Sequence, residues 1–182
     1  WTVVPALALA VLIIWGLNVW STLMMPENEE APILVEVYAQ QFNWTVRYSG
    51  GDNVLGYATV HEIAGGNILG VDMQDPASID DIIAKELHLP VGQPIKFLFR
   101  SQDVIHSAYF PHFRAQMNCV PGAITQFQFT PSITTAEIRQ NKDVKDHVEE
   151  VNEIRKAKGE DVWDFNYVLL CNKICGAAHY NM

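Results

Sequence analysis

Ile33-Leu-Val-Glu-Val-Tyr-Ala39 is the stretch that decides the fold. Branched or small apolar residues stand at every second position, and a period of two residues is typical of a β-strand. A second stretch, Trp44-Thr-Val-Arg-Tyr48, has the same strand-like composition and ends at the turn signal Ser49-Gly-Gly-Asp-Asn53. The pattern therefore predicts β structure from shortly after Pro32.

Five further segments have strand-like composition along the rest of the chain. They are Leu55–His61, Pro94–Arg100, Val104–Ala108, Ala123–Thr130 and Asp164–Leu170. Clusters of Pro, Gly, Asn and Asp separate several of them. Many short strands with turns between them are typical of an antiparallel sandwich or barrel. The sequence therefore predicts a mainly β domain.

Two segments interrupt this pattern. Asp75–Leu87 begins with Asp-Pro and predicts a loop with a short helix. Ala136–Asp161 carries 14 of the 33 charged residues of the chain, and Val144, Val148 and Val151 recur there at helical spacing. We therefore expect one long, charged and mostly solvated helix, inserted between two strands over about residues 136–161.

The first 26 residues, WTVVPALALAVLIIWGLNVWSTLMMP, contain no Asp, Glu, Lys or Arg. This run is long enough to cross a bilayer, which needs about 20 apolar residues. A signal peptide would have a basic start and a late small-residue cleavage site, and this run has neither. A buried core helix is the second alternative, but such helices usually have polar breaks. We therefore predict a transmembrane helix over residues 1–26. Because the chain opens on Trp1, we also expect a segment upstream of it.

The charge distribution predicts which side of the membrane the remaining residues occupy. The flank Pro26-Glu-Asn-Glu-Glu-Ala-Pro32 is acidic, and no basic residue occurs before Arg47. Cytoplasmic flanks favour Lys and Arg, so we expect residues 27–182 to be extracytoplasmic. These residues carry the whole formal charge of -9. The acidic charge argues against nucleic acid as a partner and makes a basic protein or a cation more plausible.

Two thiols, one imidazole and one thioether lie within the last 12 residues, at Cys171, Cys175, His179 and Met182. A disulfide is one interpretation, if the two Cα atoms come within about 7 Å, and structural zinc is another. Zinc has no particular use for Met, whereas thiolate, imidazole and a weak thioether are the ligands of copper electron-transfer sites. Two thiolates could bridge two copper ions, which would then share one electron.

Such a copper pair needs a second imidazole from elsewhere in the chain. His106 is the candidate, because it lies at a predicted strand end in Val104-Ile-His-Ser-Ala108. His112 is the nearby rival, in a loop after Pro111. The remaining histidines have no ligand-like neighbours in the sequence and stay unassigned: His61, His88 and His147.

In these cysteine, histidine and methionine residues, the sequence resembles subunit II of the haem-copper cytochrome c oxidases, the subunit with the binuclear copper A centre. The copper motif of that family, Cys-x-x-x-Cys-Gly-x-x-His-x-x-Met, is present in full at the C-terminal end. Other matches occur in the family's order: Gln41-Phe-Asn-Trp44 in part, His106-Ser107 with the following Pro111, and Pro121-Gly122. The resemblance covers nearly the whole chain.

The resemblance implies a fold and a ligand set. The fold is a cupredoxin-like Greek-key β-barrel or sandwich preceded by a transmembrane helix. By position, the implied copper ligands are His106, Cys171, the backbone carbonyl of Lys173, Cys175, His179 and Met182. The family chain also continues past the ligand Met with another strand.

Departures from the family pattern suggest a divergent bacterial type. Lys173 stands where the family usually has Glu, and Lys cannot ligate a cation, so an interface magnesium or manganese ion is doubtful. Asn118 and Cys119 replace the common Asp and Ala. Phe42 replaces the Trp through which electrons usually arrive, while Trp44 remains, so we expect this pair to be the electron input.

The function implied by the resemblance is that of an electron-transfer subunit of a terminal respiratory oxidase. It would accept electrons from cytochrome c, or from a cytochrome c domain, and pass them to haem in subunit I, where O2 is reduced to water. Its partners would be subunit I, other oxidase subunits and the lipid bilayer, with the copper domain on the periplasmic side of the bacterial inner membrane. The alternatives are a copper A subunit of a nitric oxide reductase, a quinol oxidase subunit II without copper, and a membrane-anchored copper carrier.

Overall fold

The computed structural model describes residues 1–24 and 31–182. Helix α1 (Val3–Met24) is apolar along its whole length and buries none of its residues against the rest of the protein. It is the one helix among the described residues that is long and apolar enough to cross a membrane. An exposed apolar helix of this kind is unfavourable in water, so its composition suits a lipid surrounding. Most of the acidic flank after it lies outside the described residues.

In residues 31–182 the β-strands form two sheets. The strands are β1 (Ile33–Gln40), β2 (Asn43–Tyr48), β3 (Ile82–Ala84), β4 (Ile95–Ser101), β5 (His106–Phe110), β6 (Ala115–Cys119), β7 (Thr125–Phe129) and β8 (Leu170–Cys171). Five of them form one sheet in the order β3-β2-β1-β4-β7, and three form a second sheet in the order β6-β5-β8. Strands β1 and β4 are parallel, and the other pairs are antiparallel. This mainly β, two-sheet architecture behind an apolar helix confirms the predicted cupredoxin-like fold class.

The two sheets enclose one apolar core. Val35 pairs with Phe97 and Val37 with Phe99 across the parallel strands, so their side chains share one face. Phe110 of the second sheet lies 5.4 Å from Phe97, centroid to centroid, and joins the two layers. Burying a side chain of this size contributes roughly 1.5–3 kcal/mol. These contacts hold the two sheets together, and with them the strand ends that carry the candidate metal ligands His106 and Cys171.

The outer face of the five-stranded sheet is covered by the chain between β2 and β4 and holds a buried ion-pair network. Glu36 Oε2 accepts from Arg47 Nε at 2.7 Å, and Glu36 Oε1 accepts from Arg100 Nη1 at 2.8 Å. Asp81, from the covering segment, accepts from Arg47 Nη1 at 3.1 Å. The two arginines and two carboxylates compensate one another, which is the condition for burying charge in a protein.

The strand prediction is wrong for Leu55–His61. This segment has a 3-10 turn at Val60–Glu62 and only an isolated bridge from Ala58. The N–H of Gly56 donates to the Asp81 carboxylate and that of Tyr57 to Asp75, so side chains replace strand partners here. The neighbouring loop prediction over Asp75–Leu87 holds for its short helical turn at Pro76–Ser78, but it misses β3.

The strand prediction over Asp164–Leu170 is largely wrong. Only Leu170 of this segment lies in β8. Arg139 donates to the backbone carbonyl of Phe165 at 2.8 Å and to the side chain of Asn166 at 2.9 Å, so a side chain holds this segment in place of a strand. Strand β6 was missed by the sequence patterns, although its buried Ala115 and Cys119 flank the exposed Gln116 and Asn118 in strand-like alternation.

The charged insertion is helical, as its valine spacing predicts, and lies between β7 and β8, but it forms two helices rather than one, because Asn141 caps the start of a second helix. It consists of α2 (Thr135–Ile138) and α3 (Lys142–Ala157). Thr134 and Glu137 form a capping box on α2, and Asn141 caps α3 through the N–H of Asp143. Neither helix has a buried residue, so both are solvated as expected.

Candidate metal centre

Strand pairing brings the candidate ligands from two distant parts of the chain together. In the pairing of β5 with β8, Cys171 lies opposite Ala108, two residues from His106 on the same face of the sheet. The Sγ atom of Cys171 is 3.8 Å from His106 Nδ1 and 3.8 Å from the Sγ atom of Cys175. The ligand atoms of these three buried residues all lie within 4.8 Å of one another. They form the one His/Cys/carboxylate cluster of metal-site size among the described residues.

The loop after Cys171 adds the remaining candidates. The Sγ atom of Cys171 lies 3.2 Å from the carbonyl oxygen of Lys173, while the Lys173 side chain points to solvent. The Sγ atom of Cys175 lies 3.5 Å from His179 Nδ1. Met182 closes the loop, because its carbonyl accepts from Cys171 N at 3.0 Å and its side chain is buried in the same core cluster as the cysteines. Each sequence-predicted ligand residue therefore lies at this loop or beside it.

A carboxylate that the sequence patterns did not single out orients the His106 ring. Asp103 Oδ1 lies 2.8 Å from His106 Nε2, on the side of the ring opposite Nδ1. Metal-binding histidines usually donate their second ring N–H to such a carboxylate, which leaves the other nitrogen free to bind. Desolvation would raise the pKa of Asp103, but hydrogen bonds from Gln41 N–H, the His106 ring and Val104 N–H outweigh it and lower this pKa. The sequence signal that could have identified this partner is the position of Asp103, three residues before the candidate ligand His106.

Burial changes the acidity of the cysteines. Desolvation, together with the neighbouring Cys171 thiol, raises the pKa of Cys175 to about 11. Cys119 lies opposite His106 in the β5–β6 pairing and is fully buried, which raises its pKa to about 12. All three cysteines are free thiols. At neutral pH the thiols with raised pKa values stay protonated, and a metal ion has to displace the protons of those that ligate it.

The aromatic pair from the β1–β2 hairpin lies beside the cluster. The Trp44 ring meets the His106 ring edge-on, with centroids 6.3 Å apart, and Trp44 Nε1 is buried without a hydrogen-bond partner among the described residues. Phe42 lies over Gly176, where a Cβ atom would come within 2.8 Å of the phenyl ring. Phe42, Trp44 and Met182 also line a cavity of about 400 Å³.

The other histidines have different surroundings. The His112 ring contacts Phe165 and Tyr167, with centroids 4.8 Å and 5.7 Å apart, and belongs to an aromatic cluster rather than to the thiol cluster. His147 contacts Trp163 at the insertion, and His88 is exposed beside Glu86. His106 is therefore the histidine from outside the C-terminal loop that meets the cysteines.

The donor set suits copper. Two thiols and an imidazole converge within a few ångström, with a second imidazole against one thiol. Soft sulfur ligands combined with imidazole are the ligands of copper electron-transfer sites. His106, Cys171 and Cys175 are themselves buried, which limits the access of water to a redox centre bound between them.

The family model of the cytochrome c oxidase subunit II periplasmic domain matches residues 33–140. The chain belongs to the cytochrome c oxidase subunit II family. The matched range contains Phe42, Trp44, Asp103 and His106, whereas the cysteine loop lies beyond it.

Individual relatives agree with this family. The chain is 34% identical over 169 residues to the alternative cytochrome c oxidase subunit 2 of Bradyrhizobium diazoefficiens, covering 92% of this chain and 50% of that protein. It is 24% identical over 133 residues to cytochrome c oxidase subunit 2 of Myxine glutinosa, covering 73% and 55%. The chain thus spans about half the length of these curated relatives. Among solved structures, the periplasmic domain of subunit II of cytochrome oxidase of Bradyrhizobium japonicum matches with a TM-score of 0.46 and 18% identity, covering 86% of this chain and 80% of that one.

Proposed function

We propose that this chain is the electron-transfer subunit of a terminal respiratory oxidase, with a binuclear copper A centre as its redox group. The observation that carries the proposal is the convergence of His106, Cys171 and Cys175, whose ligand atoms lie within 4.8 Å of one another. Membership in the cytochrome c oxidase subunit II family supports an electron-transfer role for this cluster. The nitric oxide reductase and quinol oxidase alternatives are not favoured, because the matching relatives are cytochrome c oxidase subunits.

The proposed ligands are the six predicted from the sequence: His106, Cys171, the carbonyl of Lys173, Cys175, His179 and Met182. When bound, the copper pair supplies a group that accepts and releases one electron at a time. The cysteines would bind as thiolates and would release their protons on loading, which the raised pKa of Cys175 opposes. Asp103 holds the proton of His106 at Nε2, so that Nδ1 faces the cysteines with its lone pair.

Electrons arrive in this proposal near Phe42 and Trp44. The Trp44 ring contacts the His106 ring and, together with Phe42, lines the neighbouring cavity. A basic cytochrome c, or a cytochrome c domain, is the proposed donor, because the residues after the first 26 carry the whole charge of -9. Electrons then pass to haem in subunit I, where O2 is reduced.

The proposed placement follows the order of the chain. Residues 1–26 span the inner membrane of a bacterium, and residues 27–182 form the periplasmic domain, with the helical insertion at about 136–161. Subunit I and other oxidase subunits are the proposed partners in the membrane. The exposed Lys173 ammonium cannot ligate a cation, so the proposal includes no interface magnesium or manganese.

The copper-to-protein ratio and the EPR spectrum of the purified chain test the proposal. We expect two copper ions per chain and hyperfine structure from one electron shared by two equivalent copper nuclei. Binding of a single copper ion, or a spectrum from one nucleus, would contradict the binuclear centre. Selective retention of zinc over copper would instead favour the structural-zinc interpretation of the cysteine loop.

A further inference from the structure

The two-residue turn between β1 and β2 touches both halves of the proposed copper centre. Gln40 and Asn43 form the last pair of the hairpin, which leaves Gln41 and Phe42 at its tip. The Gln41 side chain donates from Nε2 to the backbone carbonyl of Cys175 at 2.5 Å. The Gln41 backbone N–H donates to Asp103 Oδ2 at 2.7 Å. One residue therefore bonds both to the cysteine loop and to the segment that carries His106.

These contacts form a continuous chain of hydrogen bonds around the cluster. His106 Nε2 meets Asp103 Oδ1, Asp103 Oδ2 accepts from Gln41 N–H, and Gln41 Nε2 donates to the Cys175 carbonyl. The link between Gln41 and Cys175 joins residues 134 positions apart in the sequence. This chain connects His106 to the cysteine loop after β8 by a route that passes through the hairpin tip, in addition to the direct backbone pairing of β5 with β8.

Gly176 makes the close approach of the hairpin tip possible. A Cβ atom at this position would lie 2.7 Å from Gln41 Nε2 and 2.8 Å from the Phe42 ring. The residue has φ of +150°, a conformation that side-chain-bearing residues rarely adopt. The loop between Cys175 and His179 thus starts with a glycine that lets the turn lie directly against it.

We propose that Gln41 is a positioning residue, which fixes the Cys175 side of the centre relative to His106 through Asp103. The inference rests on the proposed copper function. Gln41 touches no ligand side-chain atom, so it acts through the Cys175 backbone and through the Asp103 carboxylate. Its amide holds the cysteine loop against the hairpin tip, and its loss would let Cys175 move away from Cys171 and His106.

The test compares full-length Gln41→Leu with the wild-type chain in detergent, both loaded with copper. Leu keeps the size of the side chain and the backbone N–H to Asp103, but removes the donor to Cys175. Loss of such an outer contact typically weakens metal binding by about 10- to 100-fold, so we expect copper to pass to a competing chelator about tenfold more readily. The EPR hyperfine pattern should also change, because the two copper nuclei would no longer share the electron equally.

Four further variants, including Asp103→Asn alone, make the result specific. Gln41→Asn keeps the amide but shortens its reach by one methylene, and it should weaken copper retention as Gln41→Leu does. Gln102→Leu is the matched control, since this nearby exposed glutamine bonds to Ala39 through its backbone N–H, and it should behave like the wild type. If one chain of bonds is responsible, Asp103→Asn combined with Gln41→Leu should weaken retention by less than the product of the two single effects.

The outcomes separate this inference from the proposed function. A wild-type chain that binds two coppers, with Gln41→Leu equal to it in chelator competition and in EPR, would overturn the positioning role alone. A wild-type chain without a binuclear signal would overturn the copper function and this inference with it. Equal losses in Gln41→Leu and Gln102→Leu would also count against a specific role for Gln41.

Discussion

Cys171 Sγ and Cys175 Sγ lie 3.8 Å apart as free thiols, both buried. Two thiolates at this distance would repel each other strongly in a low-dielectric interior. Burial and the neighbouring thiol accordingly raise the pKa of Cys175 to about 11. The negative charges of two thiolates at Cys171 and Cys175 would be compensated by cations bound to both sulfur atoms. The pair is therefore suited to act as a bridge between two metal ions.

Replacing Cys171 by Ser should abolish the binuclear copper signal. A serine hydroxyl does not readily ionise and cannot replace a bridging thiolate, whereas its size leaves the fold intact. We expect loss of the shared-electron EPR pattern and a copper content below two per chain. The measurement is EPR together with metal analysis of the folded variant.

Cys119→Ser provides the matched control for this substitution. Cys119 is fully buried opposite His106 on β6, but it is not among the ligand atoms that converge on Cys171. The variant should keep both copper ions and the EPR pattern. If copper binding instead depends on Cys119 and survives the loss of Cys171, the ligand assignment is wrong.

Lys173→Ala should keep both copper ions. The Cys171 thiol faces the backbone carbonyl of Lys173, which an alanine supplies equally well, and the ammonium group is exposed. We expect unchanged copper content and an unchanged EPR spectrum. Loss of the copper signal in this variant would contradict the proposed backbone-ligand role.

The sequence predicts strands β1, β2, β4, β5 and β7 and the residues of the candidate metal cluster, but it misses β6, although β6 pairs regularly with β5. Val35 and Val37 stand at every second position of β1, as expected for one buried face of a strand, and both are core residues. The cysteine loop carries its ligand spacing in consecutive residues. Strong local periodicity and a compact motif are signals that a single sequence contains.

The features that sequence patterns miss depend on contacts between distant segments. The bond from Gln41 N–H to Asp103 joins residues 62 positions apart, and no spacing rule connects them. Leu55–His61 looks like a strand, yet Asp75 and Asp81 take up the N–H groups of Tyr57 and Gly56. Side-chain partners for backbone groups depend on tertiary packing, so composition alone assigned this segment incorrectly.

Alkaline pH should destabilise the metal-free protein through Cys119. Burial raises the pKa of this thiol from an ordinary 9.0 to about 12. The folded state therefore holds a proton that the unfolded chain loses above pH 9, and this contribution to stability declines as pH rises towards 12. The slope is about 1.4 kcal/mol per pH unit for one such group. Cys175 adds a similar decline up to its pKa of about 11.

Denaturant unfolding of metal-free wild type and Cys119→Ala at several alkaline pH values measures this effect. The alanine variant should lose stability less steeply with pH, because one of the protonated thiols is absent. Equal slopes in the two proteins would mean that Cys119 does not hold its proton in the folded state.

Salt should slow the reduction of the copper-loaded chain by a soluble basic cytochrome c. The domain carries the whole charge of -9, and attraction between opposite charges speeds encounter at low salt. Screening acts within about 8 Å at physiological ionic strength, so stopped-flow rates should fall steadily as salt is added. A rate insensitive to salt would point to a tethered donor, such as a cytochrome domain held in the same complex.

Trp44→Phe should separate an electron-transfer role from packing at the hairpin. The Trp44 ring contacts His106 edge-on at 6.3 Å, and its unpartnered Nε1 means that phenylalanine removes no hydrogen bond seen among the described residues. The loss of ring volume should destabilise the fold by only about 1–3 kcal/mol. If electrons pass through the indole, a folded variant with normal copper content should be reduced severalfold more slowly in stopped flow.

Phe42→Leu is the companion variant, because Phe42 lines the same cavity but lies over Gly176 rather than against His106. An unchanged rate in Trp44→Phe would leave Trp44 as a packing residue, and slowing confined to Phe42→Leu would move the electron input to the hairpin tip.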